Sequence, residues 1–114
     1  MSATEDNSRE PTRDEIDRLE GPVIVEFGSS WCPHCRALAP RLARLLEDYP
    51  GVRHIKVEDG PGRPLGRSFR VKLWPNLVFL NDGQPVRQLA RPDIAEVREA
   101  LALIAGPNPR SESP

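Results

Sequence analysis

Cysteine is nearly absent: the 114-residue chain has two, too few for the disulfide framework that staples small secreted domains. Lysine is as rare, because fourteen of the sixteen basic residues are Arg and only Lys56 and Lys72 remain. Neither sign of charge dominates, with sixteen basic side chains against seventeen acidic. That balance lacks the sustained positive excess selected by nucleic acid or an anionic membrane, so neither is expected as a partner. Apolar runs fall well short of the ~18 residues a membrane span needs, and the polar N-terminus offers no signal-peptide core. A cytoplasmic protein is therefore expected. Reducing conditions there keep structural disulfides from forming, so two close cysteines are more readily explained as a working pair than as a staple.

What the chain does have is one patterned block between two polar ends. Residues 1–12 and 106–114 lack periodicity and are expected to be disordered, leaving a single domain over 13–105. Thr12 can cap a short helix through about Glu20, with Asp14 and Glu15 in its first turn. Val23–Phe27 reads as a strand buried on both faces, being almost continuously β-branched and aromatic. From Pro33 to Tyr49 the pattern turns helical, with Leu38, Leu42, Leu45, Leu46 and Tyr49 on one face and Pro40 set to kink it. Residues 52–57 form a second strand, and 63–70 hold one or two helical turns. Strands at 76–80 and 85–90 flank Asn81-Asp82-Gly83, whose Asp-Gly supplies the positive φ of a tight hairpin. A last helix over 93–105 buries Ile94, Val97, Leu101 and Ile104. The order α-β-α-β-α-β-β-α predicts a parallel βαβ unit followed by a ββα unit, with helices on both sheet faces.

Both cysteines lie in Trp31-Cys32-Pro33-His34-Cys35, at the junction of the first buried strand and the long helix. Free N–H groups and the helix dipole there stabilise an anion, which lowers a thiol's pKa and activates its sulfur. Pro33 suits the first helical turn, where its missing N–H costs nothing. Cys35 lies one turn along on the same side, close enough to close a small disulfide ring. The expectation is an exposed Cys32 that attacks and a Cys35 tucked behind it that resolves the mixed disulfide. Two rivals stand beside this reading. The pair could be inert and buried, or it could be half of a zinc site completed by His34, His54 or a second chain. No metal site is expected.

Strand, WCxxC, helix with a proline five residues after the second cysteine, then a strand–Pro–strand hairpin: this series resembles the thioredoxin family over about residues 13–105. The resemblance implies an α/β thioredoxin fold, with a central mixed sheet of four strands, or five if the family's first is present. It implies a protein disulfide oxidoreductase with no cofactor beyond the Cys32–Cys35 disulfide. Position by position, Glu26 matches the carboxylate buried beneath the resolving cysteine, and Lys56 matches the lysine that partners it. Pro40 matches the kinking proline, Gly83 the hairpin glycine, and Pro75 the proline whose preceding bond is cis. Glu26 also makes sense without the family, because a carboxyl inside an apolar strand is costly to bury unless it has a task, such as moving a proton for Cys35.

Departures from the family are informative. Pro33-His34 between the cysteines resembles the periplasmic disulfide oxidases, and implies a protein more oxidising than ordinary thioredoxin. Trp31, Trp74 and Pro75 are expected to line the substrate groove, with backbone groups beside Pro75 free to pair with an extended peptide. Gly28 stands where a Trp is usual and Arg91 where a glycine is usual. His54 reads as a plain strand-surface residue. The implied partners are protein disulfides and a recycling reductase or glutathione, acting on a monomer. The rival function is a non-catalytic binding or chaperone module on the same scaffold.

Overall fold

The computed structural model describes residues 10–106, so of the tails expected over 1–12 and 106–114, residues 1–9 and 107–114 lie outside the described residues. Chain order is α1 (Arg13–Asp17), β1 (Pro22–Gly28), α2 (Pro33–Leu46), β2 (Arg53–Glu58), α3 (Pro64–Ser68), β3 (Asn76–Asn81), β4 (Gln84–Ala90) and α4 (Ile94–Ala105). Residues 10–12 belong to the domain and not to a tail. Glu10 accepts a hydrogen bond from the Leu65 N–H at 2.9 Å, and Thr12 caps α1 in a reciprocal box with Glu15. Asp93 and Glu96 make the same box at α4. α2 runs on through Pro40, held by the apolar stripe beneath it.

The four strands among the described residues form one mixed sheet in the order β2-β1-β3-β4. β1 is parallel to β2, with Glu26 opposite Lys56, and antiparallel to β3, with Glu26 opposite Leu77. Its central position explains its unbroken apolar run, since both of its faces are covered. On one face Ile24, Leu77 and Phe79 pack against Leu38, Leu42 and Leu45 of α2 and Val97 and Leu101 of α4. On the other, Val23, Val25 and Phe27 pack with Ile16, Leu65 and Phe69. Burying a side chain such as Leu101 or Phe27 contributes about 1.5–3 kcal/mol, and β1 anchors both layers. This is the thioredoxin fold, a four-stranded mixed sheet between helices.

The β3–β4 turn closes against the start of the domain. Asp82 adopts φ 52° and Gly83 φ 79°. The Asp82 carboxylate accepts from the Gly21 N–H at 2.8 Å, and its own N–H donates to the Gly21 carbonyl at 3.1 Å. A Cβ at Gly83 would overlap the Asp17 carbonyl, so the turn lies directly on the end of α1.

Candidate active site

Cys32 is the N-cap of α2, in extended conformation, with Pro33 following it in the first turn. Its Sγ accepts a hydrogen bond from the Cys35 N–H at 3.4 Å, so the sulfur occupies a place usually filled by a Ser or Asp oxygen. Both cysteines are free thiols. Burial opposes ionisation of Cys32, yet bonds from the Cys35 thiol and from the Cys35 and His34 backbone, together with the charge of Arg91, hold its pKa below the ordinary thiol value. Cys35 goes the other way. Burial first, then its bond to Cys32 and the charges of Cys32 and Glu26, push it up to about 11.

Exposure does not separate the two sulfurs, contrary to the expectation from sequence. Cys32 is 4% exposed and Cys35 7%, because the 74–75 corner closes over the helix tip and brings the Trp74 carbonyl to 4.0 Å from Cys32 Sγ. The asymmetry is electrostatic. Iodoacetamide at pH 7 should therefore label Cys32 first and spare Cys35 until the pH nears 11, as read by mass mapping of the two peptides. Lowering the pH further should slow Cys32 labelling as its thiolate is protonated. Equal labelling of both thiols at pH 7 would contradict this assignment.

Glu26 is 4% exposed in the centre of β1, as expected, and its charge reaches Cys35. Its partner is not Lys56. The His54 Nε2 lies 2.7 Å from Glu26 Oε1, while Lys56 is exposed and makes no ion pair with Glu26 among the described residues. Both residues are on the same face of the sheet as Glu26, and Lys56 is even its register partner. A short rigid imidazole can reach the carboxylate from a strand edge without burying an ammonium, which hydrates strongly and keeps to water. The signal in the sequence was alternation: His54 and Lys56, two apart, share one face, and either could have met Glu26.

The groove side is built from loops. The Trp74–Pro75 peptide is cis. Pro75 is buried, and Trp31, 68% exposed, meets Trp74 edge-on with ring centroids 5.6 Å apart. Asp59 accepts from the Trp74 indole N–H at 2.8 Å, which fixes that ring. The backbone beside Pro75 is not free as expected. Arg91, at φ 49°, donates its Nε–H to the Trp74 carbonyl and its backbone N–H to the Pro75 carbonyl, both at 2.8 Å. Below the corner, His34, Ala37, Leu38, Arg41, Pro75 and Arg91 border a groove of about 180 Å³. Sequence reasoning left His54 as a plain strand-surface residue, missed Asp59, and saw in Arg91 only a missing glycine. Among the described residues no group of three or more His, Cys, Asp or Glu is placed to hold a metal.

An activated thiol capping a helix, with a second thiol one turn behind it and a carboxylate buried below, makes this a disulfide oxidoreductase built on a thioredoxin fold. Comparison with known proteins gives the same class. The thioredoxin family model matches residues 4–102. Thioredoxin Asp f 28 of Aspergillus fumigatus is 34% identical over 86 residues, covering 75% of this chain and 80% of that protein. The structure of reduced thioredoxin 2 from Pseudomonas aeruginosa PAO1 is 56% identical, with a TM-score of 0.75 over 85% of this chain and 91% of that one. Thioredoxin f2 of Chlamydomonas reinhardtii, at 20% identity and a TM-score of 0.71, shares the fold. The chain belongs to the thioredoxin family. Members of that family are thiol–disulfide oxidoreductases.

Proposed function

We propose that this chain exchanges its Cys32–Cys35 dithiol with disulfides of cytoplasmic proteins, acting as a monomer with a potential less negative than that of ordinary thioredoxin. Cys32 attacks the substrate disulfide, and Cys35 then displaces the substrate and closes the Cys32–Cys35 bond. Glu26 takes the proton that Cys35 loses. Pro33 and His34 set the stability of the Cys32 thiolate, and Trp31, Trp74 and Pro75 receive the substrate. The observation that carries this reading is the opposed setting of the two thiols, one held below and one above the ordinary value a single turn apart.

The more oxidising potential rests on Pro33-His34 between the cysteines, and the lowered pKa of Cys32 supports it. Whatever stabilises the Cys32 thiolate stabilises the reduced protein, and so makes the disulfide a better oxidant. Thioredoxins lie near −270 mV and the periplasmic oxidase near −120 mV. Equilibration with glutathione buffers should place this protein between them, and a value at or below that of thioredoxin would overturn the tuning assigned to His34. Insulin reduction with dithiothreitol tests the activity itself. Turnover at the background rate in a folded sample would favour a binding module instead.

A further inference from the structure

Glu26 is enclosed on a central strand, yet its task in the resolving step requires it to take a proton and afterwards lose it. Among the described residues its side chain hydrogen-bonds to His54, whose Nε2 lies 2.7 Å from Oε1. β2 is an edge strand, and the His54 side chain is 27% exposed against 5% for Glu26. The ring thus touches the enclosed carboxylate through Nε2 while about a quarter of the side chain reaches solvent at the edge of the sheet. Histidine is the side chain that exchanges protons around neutral pH. The charged and titratable groups around this face are Glu26 of β1, Lys56 and Glu58 of β2, Cys35 of α2, and Tyr49 just beyond α2, on which the charges of Asp48 and of Arg98 of α4 act. Of these, His54 alone is hydrogen-bonded to Glu26 among the described residues.

We propose that His54 is the port through which Glu26 returns to solvent the proton released by Cys35, an inference that rests on the oxidoreductase reading above. In the resolving step Cys35 Sγ forms a bond to Cys32 Sγ. The bond between Cys32 and the substrate sulfur breaks, and its electron pair leaves on the substrate thiolate. The Cys35 proton passes to the Glu26 carboxylate. Nε2 of His54, with the ring hydrogen on Nδ1, takes it from there while Nδ1 gives that hydrogen to water, leaving Glu26 ionised. When the Cys32–Cys35 disulfide is reduced again the path runs backwards: water reprotonates Nδ1, and Nε2 returns its proton through Glu26 to Cys35, which restores the ring for the next cycle. His54 touches no reacting sulfur; it acts through Glu26 as a positioning residue.

The test is the two-phase reaction of the reduced full-length protein with an aromatic disulfide such as 5,5′-dithiobis(2-nitrobenzoate). The first thiolate released reports attack by Cys32, and the second reports displacement by Cys35. His54→Gln keeps a hydrogen bond to Glu26 but cannot carry a proton. It should slow the second phase about tenfold, a modest part of the ~10²–10⁴-fold that positioned proton transfer supplies, and should flatten that phase's pH profile between pH 6 and 8. The first phase should not change. His54→Ala should slow the second phase as much, and free imidazole in the buffer should restore it. Circular dichroism checks that each variant is folded. A His54→Gln second phase at the wild-type rate overturns the proposal, as does a slowed one that keeps its pH profile and ignores imidazole in His54→Ala. A folded wild-type protein lacking the first phase refutes the oxidoreductase reading, and the port with it.

Discussion

Cys35→Ser should stall on its substrate. The variant keeps the activated Cys32, because the Cys35 backbone N–H and the His34 backbone still point at its sulfur, and Arg91 still lends its charge. It therefore attacks a disulfide at close to the normal rate. No second sulfur then follows, so the mixed disulfide persists and can be recovered on a non-reducing gel and identified by mass spectrometry. Cys32→Ser has the opposite character. Its remaining thiol is the one raised to about 11, so at neutral pH almost none of it is thiolate. Both variants should lose insulin reduction by at least about a hundredfold, the scale expected when a covalent nucleophile or its partner is removed. Only Cys35→Ser should trap protein. A trap of similar yield in Cys32→Ser would sink the division of labour between the sulfurs.

Gly83→Ala should cost more stability than any exposed substitution in the domain. Gly83 and Gly21 hold nearly the same backbone conformation, φ 79° and 77°. Placing a Cβ in that region costs about 1–2 kcal/mol at either site. At Gly21 the new methyl meets nothing within 4 Å, whereas at Gly83 it meets the backbone of Asp17. Backbone cannot rotate out of the way, so the hairpin must lift from α1 and loosen the pair of hydrogen bonds between Asp82 and Gly21. We expect a loss of about 2–4 kcal/mol, lowering the melting temperature by about 10 °C or more at the ~4–8 °C per kcal/mol of a domain this size. Gly21→Ala is the control for backbone strain alone. If the two melts coincide, the docking of the hairpin on α1 carries no energy.

Both predictions draw on features that differ in how legible they were. Element type and order could be read because each long segment had one strong signal: β-branched residues in β1, a leucine stripe in α2, Asp-Gly between β3 and β4, the Ile94, Val97, Leu101 and Ile104 stripe in α4. The cysteine pair could be read because a helix start is a local event, visible within five residues. Edges were less clear. Glu10 bonds to a residue 55 positions away, and nothing local marks that. The partner of Glu26 was misassigned for a related reason. Register puts Lys56 opposite it, and only side-chain length and reach decide that His54 closes the pair. Arg91 was harder still. Its position in the groove follows from a positive φ after β4, a conformation few non-glycine residues signal in advance.

That arginine changes what a docking peptide must do. Its guanidinium already sits on the Trp74 carbonyl, so an incoming chain that seeks this acceptor arrives at an occupied berth. Binding there is a swap of one donor for another, and such a swap leaves little net free energy. Discrimination among clients then falls to whatever the evicted cation finds in the visitor's own side chains.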